Sequence, residues 1–529
     1  MTHKILGLLL TGILSFNAFA QNSSAIKYAG LLTPEEARKH LSILASDKFE
    51  GRETGTRGAE LAANYIAGQF KKLGLKAPVK GSYFQQVGLI ESSFIVDKFQ
   101  VNNYQLQSLK HFYLRGSAND KKIKAVEIIF AGYGISTEAY DDLKGIDITG
   151  KVVLIIGKGE PQKNGVSVIS NTSEPSDWAK MTDKRIQNLK SKHPALILAV
   201  NPDLTRYLSQ LNGHIADAVI SIKKPVQVKV PVVPDVIQIT PETANIFLQK
   251  TGKTIDQLGA EINLAGLPAS RVCKSDFEAS YGEKVKDVKA VNVLGYLEGS
   301  DLKNELLVVS AHYDHVGMNP TGPDKVFNGA DDDGSGTTAV LELARAFSRS
   351  KKEGKGPRRS ILFLAVVGEE KGLLGSEWYS QHPVFPLTST VTNLNIDMIG
   401  RVDPAHKDSA DYCYLIGSDK LSTQLHQISE NANATYTKLK IDYKYNDPND
   451  PERIYYRSDH YNFAKHGIPI VFYFNGVHED YHKESDEISK INFPLLTKRA
   501  QLVFYTAWDI VHRDKRPVVD ITNDMPQSR

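Results

Sequence analysis

The sequence predicts an α/β protein with a central mixed, mostly parallel sheet flanked by helices, and with an inserted β-rich module. The first observation is a series of apolar runs in the C-terminal half, such as LLVVSAHYD, ILFLAVVGEE and IPIVFYFNG, which alternate with helical patterns. Apolar runs of this length are typical of strands that are buried on both faces of a parallel sheet. The second observation is a change near residue 106, after which short β-branched runs continue to about residue 270.

Length and composition limit the class of protein. A chain of 529 residues is too long for one simple core, so two or three domains are expected. Charged residues make up 24% and apolar residues 41%, as in globular proteins. The net charge of +3 gives no support for nucleic-acid binding or for polybasic membrane attachment.

The N-terminus has the pattern of an export signal. Lys4 supplies a positive charge, ILGLLLTGILSF is a short apolar core, and Ala18-Phe19-Ala20 has the small-x-small form of a cleavage site. The apolar run is too short to span a bilayer comfortably. We therefore expect an exported protein, periplasmic or extracellular, without a membrane span.

We expect five segments along the chain. They are a signal peptide over residues 1–20, a first catalytic part over 21–105, a β-rich insert over 106–270, a second catalytic part over 271–517 and a C-terminal tail over 518–529. The tail sequence VVDITNDMPQSR is predicted to be frayed.

Helices are predicted in both catalytic parts. LLTPEEARKHLSILAS has Thr33 as its N-cap and Pro34 in its first turn, and AELAANYIAGQFKKLGL ends at Gly74. In the second part the helical patterns are TTAVLELARAFSRS, LSTQLHQISENAN and FPLLTKRAQLVFYTAWDIVHR. Cys273 and Cys413 are the two cysteines, and they can form one bridge in an oxidising compartment or remain separate, half-buried thiols.

Most of the residues that can bind a metal stand where a predicted strand stops. They are His312, Asp332, Glu370, Asp397 and His482. Open α/β sheets build their active sites beyond the carboxyl ends of strands, so this pattern predicts a metal centre. Because adjacent side chains at a strand end point in different directions, Glu370 can bind metal while Glu369 acts as general base. Asp314 lies on the same side of its strand as His312 and is expected to accept the second N–H of that ring.

Two other motif matches compete with this interpretation. Asp331, Asp333, Ser335, Gly336 and Glu342 have the spacing of an EF-hand calcium loop, but MNPTGPDKVFNGA cannot form the entering helix. His478-Glu479-Asp480-Tyr481-His482 is a literal H-E-x-x-H match, which on a helix binds zinc with the glutamate as base. A glycine two residues before it, and the lack of a downstream third ligand, weaken the zincin interpretation.

Five blocks in the C-terminal half resemble the co-catalytic dizinc exopeptidase family, which contains secreted bacterial leucyl aminopeptidases and, more distantly, glutamate carboxypeptidase II. They are AHYDHVG, NGADDDGSGTTAVLELAR, VVGEEKGLLGS, NIDMIG and GVHEDYHKESDEI. The resemblance covers residues 30–105 and 271–515 and implies a zinc-exopeptidase-like fold. Through FAGYGI and LKGIDITGKVVLIIGKG, the insert resembles the protease-associated domain of many members.

The resemblance implies two Zn²⁺ ions. His312 and Asp397 would hold one ion, Glu370 and His482 the other, and Asp332 would bridge both. The charges support this number, because the three carboxylates and one hydroxide between the ions balance two dications.

The resemblance also implies roles for three further residues. Glu369 would be the general base, Asp314 the outer partner of His312, and Tyr481 a group that steadies the tetrahedral intermediate.

The expected function is that of a secreted zinc aminopeptidase that acts on the N-termini of peptides or proteins, and a monomer is expected. The few residues after the last predicted helix leave no room for the helical dimerisation domain of the carboxypeptidase branch, which favours an aminopeptidase. The alternatives are a dizinc carboxypeptidase or dipeptidase, a zincin protease and a non-catalytic peptide-binding protein.

Overall fold

The computed structural model describes residues 21–114, 120–210, 218–223, 234–319 and 321–525, apart from the side chains of Phe94 and Gln210. The predicted signal peptide lies outside these residues. The chain forms two compact units, which we call the main unit (Met1–Leu89 and Val288–Arg529) and the inserted unit (Ile90–Asp287).

Numbered along the chain, the strands are β1 (Phe84–Gln86), β2 (Leu89–Val101), β3 (Tyr104–Gln105), β4 (Phe112–Tyr113), β5 (Lys121–Phe130), β6 (Val152–Ile156), β7 (Gln162–Lys163), β8 (Val166–Ser167), β9 (Leu196–Val200), β10 (Ala218–Ile222), β11 (Asp235–Ile239), β12 (Arg271–Val288), β13 (Val291–Leu297), β14 (Leu302–His312), β15 (Arg359–Val366), β16 (Thr390–Ile396), β17 (Tyr412–Ile416), β18 (Lys440–Asp442) and β19 (Ile470–Phe474). The α-helices are α1 (Ser23–Ala29), α2 (Pro34–Leu44), α3 (Arg57–Leu73), α4 (Asp177–Lys180), α5 (Thr182–Lys190), α6 (Leu204–Gln210), α7 (Pro241–Leu248), α8 (Ile255–Ala265), α9 (Gly334–Lys352), α10 (Leu374–Gln381), α11 (Thr423–Ala432), α12 (His460–Ala464) and α13 (Phe493–His512).

The main unit contains an eight-stranded sheet in the order β1-β13-β15-β14-β16-β19-β17-β18. Its centre is parallel, because β14 pairs in parallel with both β15 and β16, and β16 pairs in parallel with β19. The pairs β1–β13, β13–β15 and β17–β19 are antiparallel. The prediction of a mixed, mostly parallel sheet flanked by helices is confirmed.

The path of the chain through this sheet creates one special position. From β14 the chain passes to β15 on one side and then returns to β16 on the other side. The carboxyl end of β14 is therefore a topological switch point, where open α/β sheets leave a crevice.

Local signals determine where several helices of the main unit begin and end. The Thr33 hydroxyl accepts the N–H of Glu36 before α2, and Pro34 stands in the first turn. Helix α3 ends at Gly74, whose φ of 79° is a left-handed conformation that favours glycine. Helix α9 begins after Asp333, whose carboxylate accepts the N–H of Gly336. The helix predictions for these segments agree with the structure.

The end of the described chain differs from the predicted frayed tail. The N–H and hydroxyl of Thr423 both donate to the Asp520 carboxylate, and the Lys420 ammonium lies 2.9 Å from Asp524. Met525 is only 8% exposed and joins the core of the main unit. The described end of the chain is therefore anchored at Asp520, Asp524 and Met525, because the two carboxylates find partners that lie about 100 residues earlier in the chain.

The inserted unit is β-rich, as predicted. Its nine-stranded sheet has the order β10-β2-β12-β5-β6-β9-β11-β4, with β3 beside β2. The rings of Phe99, Phe112 and Phe277 pack together in its core, with centroids 4.2 and 5.1 Å apart. Its relation to the protease-associated domain stays a prediction.

The predicted boundaries of the insert, at 105/106 and 270/271, are wrong. They assigned β2 and β12 to the catalytic parts, whereas both strands belong to the sheet of the inserted unit, which spans Ile90–Asp287. The physical reason is that both strands gain their partners by long-range pairing, for example β12 with β5, which a change in composition along the chain does not reveal.

Two further predictions concern the whole chain. None of the helices in the described ranges combines the length and apolarity that a membrane span requires. Cys273 and Cys413 are free thiols, 1% and 0% exposed, so they are more deeply buried than expected and are not bridged.

Candidate metal centre

The candidate metal centre lies beyond the carboxyl ends of three neighbouring strands of the main sheet. His312 is the last residue of β14, Glu369 and Glu370 follow β15, and Asp397 directly follows β16. Asp332 precedes α9, and His482 lies in the loop after β19. The switch point at β14 therefore gathers side chains from five separate parts of the sequence.

Asp332 lies between two groups of ligands and presents one oxygen to each. Its Oδ1 is 3.3 Å from His312 Nε2, and its Oδ2 is 3.0 Å from His482 Nε2. Asp397 Oδ1 lies 3.6 Å from His312 Nε2, and Glu370 Oε2 lies 3.0 Å from His482 Nε2. The structure thus brings together all five predicted ligands, with Asp332 in the position of a bridge.

Unpaired buried atoms test whether these residues fit metal ions. The Nε2 atoms of His312 and His482 and the Oδ2 atom of Asp332 are buried without a hydrogen-bond partner among the described residues. Leaving such an atom unpaired costs about 1–3 kcal/mol. A bound cation would satisfy all three, and mixed imidazole and carboxylate donors suit zinc. The residues present therefore fit zinc.

Of the three consecutive aspartates 331–333, only Asp332 lies in the bridging position between the two groups of ligands. Asp333 also lies within ligand distance of His312 and Asp397. Its oxygens, however, accept the backbone N–H groups of His312, Gly336 and Met398 at 3.2, 2.8 and 3.1 Å. Asp331 accepts the N–H of Gly400 at 2.6 Å. These carboxylates brace strand ends instead of converging on one ion, as an EF-hand would require.

The predicted contact between Asp314 and the His312 ring takes a different form. His312 Nδ1 lies 3.0 Å from the backbone carbonyl oxygen of Asp314 and 3.8 Å from its carboxylate. That carboxylate accepts the Thr54 hydroxyl at 2.6 Å and the N–H of Glu369 at 3.3 Å. The carbonyl oxygen therefore orients the ring, because the carboxylate is already occupied by Thr54 and Glu369.

Glu369 stands at the edge of the ligand cluster, where a general base is needed. Its Oε2 is 3.9 Å from His312 Nε2, and its side chain is 11% exposed. Burial, reinforced by the neighbouring Glu370 and Asp397 carboxylates, raises the pKa of Glu369 well above its usual range. A carboxylate with a raised pKa is a better proton acceptor near neutral pH.

The imidazoles of the cluster lie beside carboxylates that favour their protonated forms. Burial alone would lower the pKa of His482, but the neighbouring Asp332 and Glu370 carboxylates raise it to about 10. Burial would likewise raise the pKa of Asp332, yet the neighbouring His312 and His482 imidazoles hold it well below its usual range. Since metal binding requires neutral imidazoles, loading the site releases protons.

A cavity adjoins the cluster on the side of Asp332, Glu369 and Asp397. Beyond these carboxylates, its lining consists of the apolar residues Met398, Ile454, Phe472, Phe474 and Val477 and the polar residues Arg457 and Tyr481. The Tyr481 ring stacks on His482, with centroids 3.9 Å apart, and its hydroxyl accepts a hydrogen bond from Arg457 Nη2 at 3.4 Å. Tyr481 thus lies where a group bound in the cavity would meet the metal ligands.

The H-E-x-x-H match does not form a zincin site. Residues 479–482 form turns, and none of residues 478–482 is in a helix. His478 Nε2 lies 3.2 Å from Asp331 Oδ2, so only His482 reaches the cluster. The Glu479 side chain is 73% exposed and lies 3.6 Å from Arg401. The zincin alternative is therefore wrong, because the two histidines point to different carboxylates.

Sequence reasoning missed His315. This residue is fully buried, and its Nδ1 lies 2.9 Å from Glu370 Oε1 and 3.8 Å from Asp332 Oδ2. Its position three residues after His312, in AHYDHVG, was the available signal.

Sequence reasoning also missed residues that brace the ligands from behind. The Ser458 hydroxyl donates to Asp397 Oδ2 at 2.6 Å. The Asp486 carboxylate accepts the N–H groups of Asp331 and Asp332. The buried Arg52 guanidinium donates to the carbonyl groups of Tyr313, Asn328 and Gly329. No local pattern announces these partners, because they lie far away in the sequence.

The ligand cluster and most of the main sheet lie in a part of the chain that resembles a known peptidase family. Residues 292–507 match the model of Peptidase family M28. The resemblance inferred from the motifs is confirmed.

Individual relatives agree with this assignment. Aminopeptidase YwaD of Bacillus subtilis is 27% identical over 271 residues, which are 48% of this chain and 54% of the relative. A probable zinc metalloprotease of Pyrenophora teres f. teres is 27% identical over 247 residues, 44% of this chain and 50% of the relative. The chain spans about half the length of the curated relatives it matches. An aminopeptidase structure from Aneurinibacillus sp. strain AM-1 is similar with a TM-score of 0.51 and 18% identity, over 96% of this chain and 100% of that one, which shows the fold alone.

Proposed function

We propose that the protein is an exported, zinc-dependent aminopeptidase that uses two zinc ions to remove N-terminal residues from peptides or proteins. The observation that carries the proposal is Asp332, whose two oxygens face two separate imidazoles beside the acidic side chain of Glu369. The names of the relatives, an aminopeptidase and a probable zinc metalloprotease, support it.

The ligands divide into two sets around Asp332. His312 and Asp397 would hold one zinc ion, and Glu370 and His482 would hold the other. Zinc bound there lowers the pKa of a water molecule and polarises the carbonyl group of the substrate.

Glu369 carries the proton through the reaction. Its carboxylate would accept the proton of the attacking water and pass it to the amine that leaves. The hydrogen bond from its N–H to Asp314 fixes the backbone at this position, and its partial exposure keeps the carboxylate accessible.

The adjoining cavity would receive the N-terminal side chain. The apolar side chains in its lining favour an apolar residue, whose burial contributes about 25 cal/mol per Å². The Tyr481 hydroxyl would donate to the carbonyl oxygen as negative charge develops there.

One observation favours the second candidate, a dizinc carboxypeptidase or dipeptidase. Arg457 lines the cavity, where its Nη2 donates to the Tyr481 hydroxyl at 3.4 Å. A guanidinium in this position can bind the free carboxylate of a substrate.

Substrates with one blocked end separate the two candidates. We expect the purified chain to hydrolyse amino-acid arylamides, which need a free amine, and not N-acetylated peptides. Chelation should abolish this activity, and Zn²⁺ alone should restore it, with two zinc atoms bound per chain by metal analysis. Hydrolysis of N-acetylated peptides alone would establish the carboxypeptidase, and the absence of zinc would overturn both candidates.

A further inference from the structure

We propose that His315 is a positioning residue for the metal ligand Glu370. Its Nδ1–H donates to Glu370 Oε1 and thereby leaves Glu370 Oε2 directed toward the ion. The inference rests on the proposed function only in that zinc occupies the site of Glu370 and His482.

The two oxygens of Glu370 face two different imidazoles. Oε1 lies 2.9 Å from His315 Nδ1, whereas Oε2 lies 3.0 Å from His482 Nε2. The first distance is that of a charge-assisted hydrogen bond. A carboxylate held in this way by one oxygen can offer only the other oxygen to a metal.

The surroundings of His315 fix its ring. The residue is completely buried, and its backbone N–H donates to the backbone carbonyl oxygen of Arg52 at 3.2 Å. A side chain at Gly329 would place its Cβ 2.5 Å from His315 Cδ2, so the backbone lies directly against the ring. Gly329 has a φ of 55°, which other residues rarely adopt. The ring therefore has little freedom to turn away from Glu370.

Geometry favours positioning over direct metal binding. The donor atoms around a tetrahedral zinc ion, with bonds of about 2.0–2.1 Å, lie about 3.3 Å apart. His482 Nε2 fits this set, since it is 3.0 Å from both Asp332 Oδ2 and Glu370 Oε2. His315 Nδ1 is 3.8 Å from Asp332 Oδ2, and its ring centroid is 5.7 Å from that of His482. His315 therefore contacts Oε1 of the metal ligand Glu370 and is not itself one of the metal ligands.

The expected effect follows from what such partners do in metal sites. Outer hydrogen bonds orient a ligand before the metal arrives, and their loss costs about 10- to 100-fold in metal affinity or activity. Because His315 contacts Glu370 and not Asp397, we expect this loss at one zinc ion only.

Two substitutions test the inference on the full-length protein. His315→Leu removes the donor, and His315→Asn retains a donor near the position of Nδ1. Zinc affinity is measured by competition with a chelator, without reference to activity. We expect His315→Leu to weaken the binding of one zinc ion about 10- to 100-fold and His315→Asn to recover most of that loss.

A matched control is available in the same unit. His406 is also buried, and its Nδ1 lies 2.8 Å from Asp403 Oδ1, away from the ligand cluster. His406→Leu should lower stability without changing zinc affinity. If it weakens zinc binding as much as His315→Leu does, the effect is a general loss of stability and the inference is overturned.

Cobalt separates positioning from ligation. With Co²⁺ in place of zinc, a positioning role leaves the visible absorption bands of the His315→Asn variant unchanged, whereas loss of a nitrogen ligand shifts them and overturns the inference. Wild-type zinc affinity in His315→Leu would also overturn it. Wild-type zinc binding and arylamide hydrolysis, measured in parallel, show whether the proposed function itself still stands.

Discussion

In the inserted unit, the buried Asp142 carboxylate accepts the N–H groups of Tyr133 and Ile135 and the hydroxyl of Tyr140. In the main unit, the buried Nε2 atoms of His312 and His482 have no hydrogen-bond partner among the described residues. A buried polar group whose partners all come from the chain stabilises the fold, whereas one without a partner needs a group from outside. The comparison therefore separates a structural charge from a ligand site.

The largest expected effect lies in the main unit, at Glu369. Glu369→Gln keeps the size of the side chain but removes the proton acceptor, and it removes no predicted ligand. We expect turnover to fall about 10²- to 10⁴-fold while both zinc ions remain bound. Steady-state kinetics and metal analysis of the same sample measure the two quantities. Unimpaired turnover would rule out the assignment of Glu369 as the base.

The second prediction concerns stability in the inserted unit. Asp142→Ala leaves two N–H groups and a hydroxyl without their acceptor, so we expect a loss of about 3 kcal/mol in the free energy of unfolding. Zinc content and turnover should not change, since the proposed ligands and base all belong to the main unit. Hydrogen exchange of residues 90–287 measures the loss, and residues 288–525 provide the internal control.

The same substitution has a defined pH dependence. Burial raises the pKa of Asp142 to about 6, although the hydrogen bonds to Tyr140, Ile135 and Tyr133 oppose this shift. The unfolded chain releases the proton near pH 4, so the native state binds more protons between pH 4 and 6. The stability from this group is present below pH 4 and is lost as the pH rises to 6. The cost of Asp142→Ala should therefore be larger at pH 4.5 than at pH 7, and a larger cost at pH 7 would contradict it.

The sequence predicted those structural features whose physical cause lies in a short local pattern of residues. The apolar run before His312 predicts a strand, and β14 ends at this residue. The capping residues Thr33 and Gly74 predict the start of α2 and the end of α3, where the structure has them. Partners that are far apart in the chain were not predicted. The contact of Ser458 with Asp397 spans 61 residues, and that of Thr54 with Asp314 spans 260. His315 was missed for the same reason, because its role depends on Glu370, which lies 55 residues away.

The smallest effect is expected at Glu479, which would be the base if the H-E-x-x-H match were a zincin site. Glu479 is 73% exposed, and its nearest cation, Arg401, is already held by Asp480 at 2.7 Å. An exposed ion pair contributes about 0–1 kcal/mol. We expect Glu479→Gln to keep turnover within about twofold of the wild type and to leave zinc binding unchanged. The zincin interpretation requires the opposite, a loss as large as that of Glu369→Gln. Because the two substitutions are chemically identical, the difference between them isolates position: a carboxylate acts as the base when it lies beside unpartnered ligand atoms, not when it occupies the second position of H-E-x-x-H.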